Sequence, residues 1–234
     1  MSLATAVAEW GDLFAALATF LLSHAIPARP QIRVRLIQLL GRPAYLIAYS
    51  ILSIIILGWL IAATASAPFV ELWQREDWQT AFPAIGMAIA TTLAVFGLTS
   101  PNPLSLSARR PVGFDPERPG VAGLVRHPVL WATLLWSITH IVPNGDMAHL
   151  IMFGLFAALS IGGMAMLDRR KRRALGDDSW QRLARMTSNW PLLGLGKGWR
   201  PAFGTGTAVR LASGIVIYAA LVGAHGAITG IPLL

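Results

Sequence analysis

Five histidines, one Arg-His-Pro tripeptide and an aspartate heading a basic run stand out from the apolar background of this 234-residue chain. His24 lies in Leu-Leu-Ser-His-Ala-Ile-Pro and His140 in Leu-Leu-Trp-Ser-Ile-Thr-His-Ile-Val; His149 and His225 also fall within or beside apolar blocks. An ionisable side chain is costly in hydrocarbon, which makes each a functional candidate by default. Two readings suit His24 and His140. Either could be hydrogen-bonded to a neighbouring helix or reach toward an interface. Either could instead ligate haem iron, for which a neutral imidazole is a common axial donor, in a helix bundle that holds the group between facing helices.

Arg126-His127-Pro128 reads first as a helix start, because proline at the first helical position has its φ preset and loses no needed N–H. In a second reading, Arg126 and His127 line a polar pocket for an anionic group. Asp168 opens Asp168-Arg169-Arg170-Lys171-Arg172-Arg173. That run reads as a stop-transfer anchor that attracts anionic lipid, with a pocket role for Asp168 or Arg169 as the alternative. Asn144-Gly145-Asp146 reads as a tight turn, with the glycine supplying a positive φ. There is no cysteine, which excludes disulfides, thiolate metal sites and cysteine nucleophiles.

The elements that position these residues follow from composition. Hydrophobic residues make up 55% and charged residues 13%, against about 25% charged in an ordinary soluble domain. A soluble globular enzyme, a disordered chain and a coiled coil are thereby disfavoured. Long apolar blocks, rather than alternating ten-residue segments, argue against a β-barrel. The expected fold is an all-α polytopic transmembrane bundle of about six spans plus a short interfacial helix, in one domain over 1–234. The six blocks are Ala8–Ile26, Pro43–Ala65, Ala81–Leu98, Pro128–Val142, His149–Leu167 and Ala208–Ile228. The fourth could lengthen backward to Val121. Crossing the hydrocarbon takes about 20 helical residues, so the first and fourth blocks are borderline.

Net charge is +8, and its placement points to topology rather than to nucleic acid. Residues 27–42 carry Arg29, Arg33, Arg35 and Arg42 with no acid. Residues 99–127 carry Arg109, Arg110, Arg118 and Arg126 against Asp115 and Glu117. Residues 168–207 carry nine Lys/Arg against three Asp, whereas 66–80 and 143–148 are acidic. By the positive-inside rule, the basic stretches are cytoplasmic and both termini lie on the outer, periplasmic side. Trp10, Trp73 and Trp78 then mark the outer interface and Trp180, Trp190 and Trp199 the inner one. Within 168–207, Asp178 reads as the cap of a surface helix with Gln181 three residues on. Its apolar face would be Trp180, Leu183 and Met186, with Arg182 and Arg185 off it. Pro191–Gly206 reads as a turn region.

The stretch from Arg126 to Arg170 strongly resembles the NnrU family: RHP, a Trp-containing span ending in His, an NGD turn, another span and a terminal D-R pair. His24 near the end of the first block, followed by Arg-rich sequence and Gly-Arg-Pro-Ala-Tyr, is similar to the same family. The resemblance covers about residues 12–190. It implies a bacterial inner-membrane protein linked to denitrification, where such proteins support nitrite and nitric oxide reduction. The related plastid 15-cis-zeta-carotene isomerase carries haem b and isomerises a polyene. The resemblance implies His24 and His140 as the axial ligands of such a haem. His127 is the alternative partner of His24, since it lies closer to His24 in depth. The isomerase has a cysteine where this chain has Ser137, so thiolate ligand switching is not expected.

A more distant likeness is to isoprenylcysteine-type membrane methyltransferases. It implies S-adenosylmethionine held through Arg126, His127 and the basic stretch after Asp168, although Asp168-Arg169-Arg170 stands where those enzymes have an acidic pair. A cofactor-free accessory protein for reductase assembly is the third expectation. The expected partners are membrane lipid and a lipid-soluble substrate or redox partner.

Overall fold

The computed structural model describes residues 3–107 and 112–230; Arg109 and Arg110 lie outside them. Nine α-helices are found among the described residues: α1 (Leu3–Ala28), α2 (Pro30–Leu40), α3 (Arg42–Ser66), α4 (Ala81–Thr99), α5 (Val121–Leu124), α6 (Pro128–Ile141), α7 (Met147–Leu175), α8 (Asp177–Ala184) and α9 (Thr205–Thr229). Short 3-10 turns occupy Asp77–Thr80 and Leu195–Lys197. The helical membrane architecture is as expected. Four helical segments are individually long and apolar enough to cross a bilayer: α3, Asp77–Thr99, α7 and α9.

Three details differ from the six-block reading. The basic stretch after the first block is helical rather than loop. Arg29 is extended, Pro30 starts α2, and Gly41 at φ 75° ends it and admits α3, because proline pushes its predecessor out of the helical region and glycine tolerates positive φ. Glu9–Pro27 and Pro30–Leu40 pass the crossing criterion only together, bent by 80°. The fourth block forms a helix of only 14 residues, about 21 Å long against a hydrocarbon core of about 30 Å. Nor does it lengthen backward: α5 is a separate turn, and Val125 between them is extended.

The chain packs as two compact units. One comprises residues up to Gln74 together with Asn144–Met152. Here α1 lies against α2 and α3, burying Leu13, Ala16, Leu17 and Phe20, one stripe at helical spacing. The Asn144–Asp146 turn is stitched to the chain after α3 by Leu72 N–H to Gly145 O (2.7 Å) and Met147 N–H to Val70 O (3.0 Å). Gly145 is not at positive φ, contrary to expectation. A Cβ there would strike the Trp73 carbonyl, so the glycine is required by close approach. Asp146 starts α7, accepting from the His149 N–H at 3.1 Å and pairing with His149 Nδ1 at 2.7 Å.

The other unit comprises Arg75–Pro143 and the chain from Phe153 onward. Its centre is α4, packed against α6 and α9. Pro83, Gly86, Ala90, Leu93 and Gly97 are buried along α4, a stripe of mostly small residues that lets helices approach closely. A Cβ on Gly97 would lie 2.7 Å from Val129 Cγ2 of α6, and one on Gly214 of α9 would lie 2.7 Å from Thr92 Oγ1.

Candidate functional site

Pro128 begins α6 with His127 as its N-cap residue, as the helix-start reading expects. The same step buries Arg126 and leaves no exposed surface on His127. Their partner is Asp168, near the end of α7 and 42 residues from Arg126. Arg126 Nη1–H donates to Asp168 Oδ2 at 2.5 Å, and His127 Nε2 meets Asp168 Oδ1 at 3.0 Å. Asn189 Nδ2–H donates to Asp168 Oδ2 at 2.8 Å. On the far side of the ring, His127 Nδ1 lies 2.9 Å from Ser105 Oγ. An ionised carboxylate can only accept, so Nε2 carries a proton, and in the neutral ring Nδ1 accepts from the Ser105 hydroxyl.

Arg126 is saturated in other directions too. Its Nε–H donates to Thr187 Oγ1 at 2.8 Å. Its backbone N–H donates to Ser188 O at 2.6 Å, and its carbonyl accepts from Asn102 Nδ2 at 3.0 Å. Its guanidinium lies 5.1 Å from the centre of the Trp180 ring, whose own distance to Arg172 Cζ is 5.6 Å. One cation faces one anion, and each oxygen of that anion has a donor. That is the condition under which a buried ion pair is tolerated. The pocket for an anionic group, expected as a second reading of Arg126 and His127, therefore holds this chain's own Asp168.

The segment after α7 supplies the wall of this cluster. The short helix expected there is α8, but Gly176 at φ 78° takes the cap position and Asp178 sits in the first turn. The expected face is correct: Trp180, Leu183 and Met186 are partly buried, and Arg182 and Arg185 are exposed. Arg172 forks onto Asp177 at 2.6 and 2.8 Å, and this bonding holds the Asp177 carboxyl below its ordinary range. Residues 186–199 then fold back over the entrance to α6. Trp131 Nε1–H donates to Asn189 O at 2.7 Å, and the Trp199 indole lies on Gly123. Trp199 is thus a buried packing residue rather than part of an interfacial belt. Three buried polar atoms at this wall, Asn189 Oδ1, Trp180 Nε1 and Trp199 Nε1, make no hydrogen bond.

The other sequence candidates lie elsewhere. His24, in α1, belongs to the first unit, and His140, at the end of α6, to the second. Each directs Nδ1 at the carbonyl four residues back: His24 to Phe20 O at 2.8 Å, and His140 to Trp136 O at 2.8 Å. A carbonyl only accepts, so Nδ1 is the protonated nitrogen in both and the neutral ring carries its lone pair on Nε2. Metal-ligating histidines are commonly oriented in this way. His24 packs on Phe20 and Tyr49, and His140 on Trp136 and Phe153. Ser137 is fully buried and donates to Thr133 O at 2.8 Å. Among the described residues there is no cluster of three or more His, Asp or Glu side chains able to hold a bare metal ion.

The chain matches the NnrU protein family over residues 12–233, and it belongs to that family. No curated protein and no solved structure matches it.

Proposed function

We propose that this NnrU family member binds haem b in the bacterial inner membrane, where His24 and His140 would hold it, and acts in the reduction of nitrogen oxides during denitrification. The observation that carries the reading is the tautomer that each ring adopts within its own helix. In each, Nδ1–H is committed to a backbone carbonyl four residues back, the tautomer in which iron-ligating histidines are commonly held. His127 is fully buried and tied to Ser105 and to the Arg126–Asp168 ion pair, and is better read as a structural group. Haem would supply one-electron chemistry, tuned by axial ligation and an apolar surround. The chain's own residues fix the imidazole tautomers and surround them with aromatic rings.

Isomerisation of a lipid-soluble polyene is the alternative use of the same group. Ser137, turned back onto its own helix, provides no soft ligand and favours a haem held by two imidazoles. The positive-inside rule supports a cytoplasmic 168–207 segment and periplasmic termini.

The test is an absorption spectrum of detergent-purified protein from haem-sufficient cells, oxidised and then dithionite-reduced. A Soret band with sharp α and β bands on reduction supports the reading. A colourless protein overturns it and leaves methyl transfer from S-adenosylmethionine and reductase assembly as the contenders.

A further inference from the structure

Arg210 is the one Lys or Arg of α9, and its setting differs from that of Arg126. It is half-buried and directs its donors only at neutral acceptors: Nε–H to Thr99 Oγ1 at 3.0 Å, Nη1–H to Gly206 O at 2.9 Å and Nη2–H toward Thr99 O at 3.4 Å. Among the described residues no carboxylate pairs with it. It borders a groove of about 350 Å³ between α4 and α9, lined by Val95, Thr99, Thr205, Val209, Arg210 and Ser213. The groove is lined by two valines, three hydroxyl side chains and one guanidinium that lies 5.9 Å from the Phe96 ring centre and has no carboxylate partner among the described residues. Beside it, the outer face of α9 is apolar and bare, with Val209, Ile215 and Val216 each more than half exposed.

We infer that this groove binds one anionic phospholipid, with the phosphodiester on Arg210 and the Thr205 hydroxyl, and an acyl chain along Val95, Val209 and Ser213. Charge complementarity selects the headgroup. A guanidinium presents a planar fork to phosphate oxygens, and a partly desolvated cation without a counter-ion gains most from such a partner. The valines select a lipid over a soluble phosphate, because only a lipid brings hydrocarbon to the same place. This site is independent of the haem reading and uses none of its residues.

The full-length protein in nanodiscs of phosphatidylcholine, with and without phosphatidylglycerol, tests the inference. The readouts are the number of tightly retained lipids by native mass spectrometry and the thermal midpoint. One phosphatidylglycerol should be retained in preference to phosphatidylcholine and should raise the midpoint. Arg210→Gln should weaken that retention about tenfold, the scale of losing a charge-assisted hydrogen bond, and Arg210→Lys should lose only part of it. Arg200→Gln, removing an exposed cation outside the groove, should change nothing. Ser213→Leu, which fills the groove without touching the charge, should also abolish retention, so the inference remains testable if Arg210→Gln fails to fold. Equal retention of both lipids, or equal losses in the Arg200 and Arg210 variants, would overturn it. So would a midpoint rise produced equally by inorganic phosphate in phosphatidylcholine discs, which would mark a soluble-anion site instead.

Discussion

Arg126 and Asp168 meet at 2.5 Å from opposite ends of a 42-residue separation, and His127 holds the other carboxylate oxygen at 3.0 Å. The pair joins the start of α6 to the end of α7, and Thr187 and Asn189 bind the following segment to it. Every residue of this cluster lies in the same compact unit. The cluster neutralises its own charge, so its first consequence is for stability.

Removing one partner should be far worse than removing both. Asp168→Leu leaves Arg126 buried without its anion and should cost about 3–5 kcal/mol, whereas Arg126→Met with Asp168→Leu should recover most of that loss. Heat denaturation in detergent, followed by tryptophan fluorescence, measures both. Equal destabilisation of the single and double variants would remove the ion pair as the clasp.

The α4–α6 seam should reject side chains. Gly97→Leu has no room beside Val129 and Pro128, and overpacking of this kind costs about 1–3 kcal/mol. Gly58→Ala in α3 meets nothing within 4 Å and should be neutral or slightly stabilising, since glycine inside a helix is about 0.5–1 kcal/mol worse than alanine. The same denaturation assay distinguishes the two outcomes.

These two predictions differ in how visible they were from sequence. The long apolar blocks became α3, α4, α7 and α9 with small shifts at their ends, because hydropathy over about 20 residues outweighs local detail. The helix start at Pro128 and the apolar face of α8 were also legible, being local in origin. What escaped was long-range. Asp168 beside five basic residues reads as part of an anchor, and nothing local shows that it turns toward Arg126 rather than Arg169. Ser105, Thr187 and Asn189 carry no signal of their own and matter only through the fold-back of their loops. The bend between α1 and α2 is hidden for a different reason: the arginines of 27–42 read as a loop, while Pro30 and Gly41 mark the ends of a helix.

The fold-back of residues 186–199 should depend on Trp131. Trp131→Phe keeps most of the ring but deletes the N–H that reaches Asn189 O, a loss of about 1 kcal/mol. Limited proteolysis should cut this segment faster in the variant. An unchanged cleavage rate would show that packing alone holds it.

The absence of cysteine permits a direct test of orientation. A membrane-impermeant maleimide should label Arg75→Cys in intact spheroplasts and should label Arg173→Cys only after permeabilisation. The reverse pattern would contradict the placement of the basic loops in the cytoplasm.

The central claim is that His24 and His140 are ligands and His127 is not. The most direct measurement is the reduced-minus-oxidised spectrum of His24→Ala, His140→Ala and His127→Ala, each with haem content per polypeptide. The account predicts that the first two lose the six-coordinate spectrum or the haem itself. The third should keep the wild-type spectrum in whatever fraction folds. Full haem and an unchanged spectrum in either His24→Ala or His140→Ala, or a changed spectrum in well-folded His127→Ala, would contradict it.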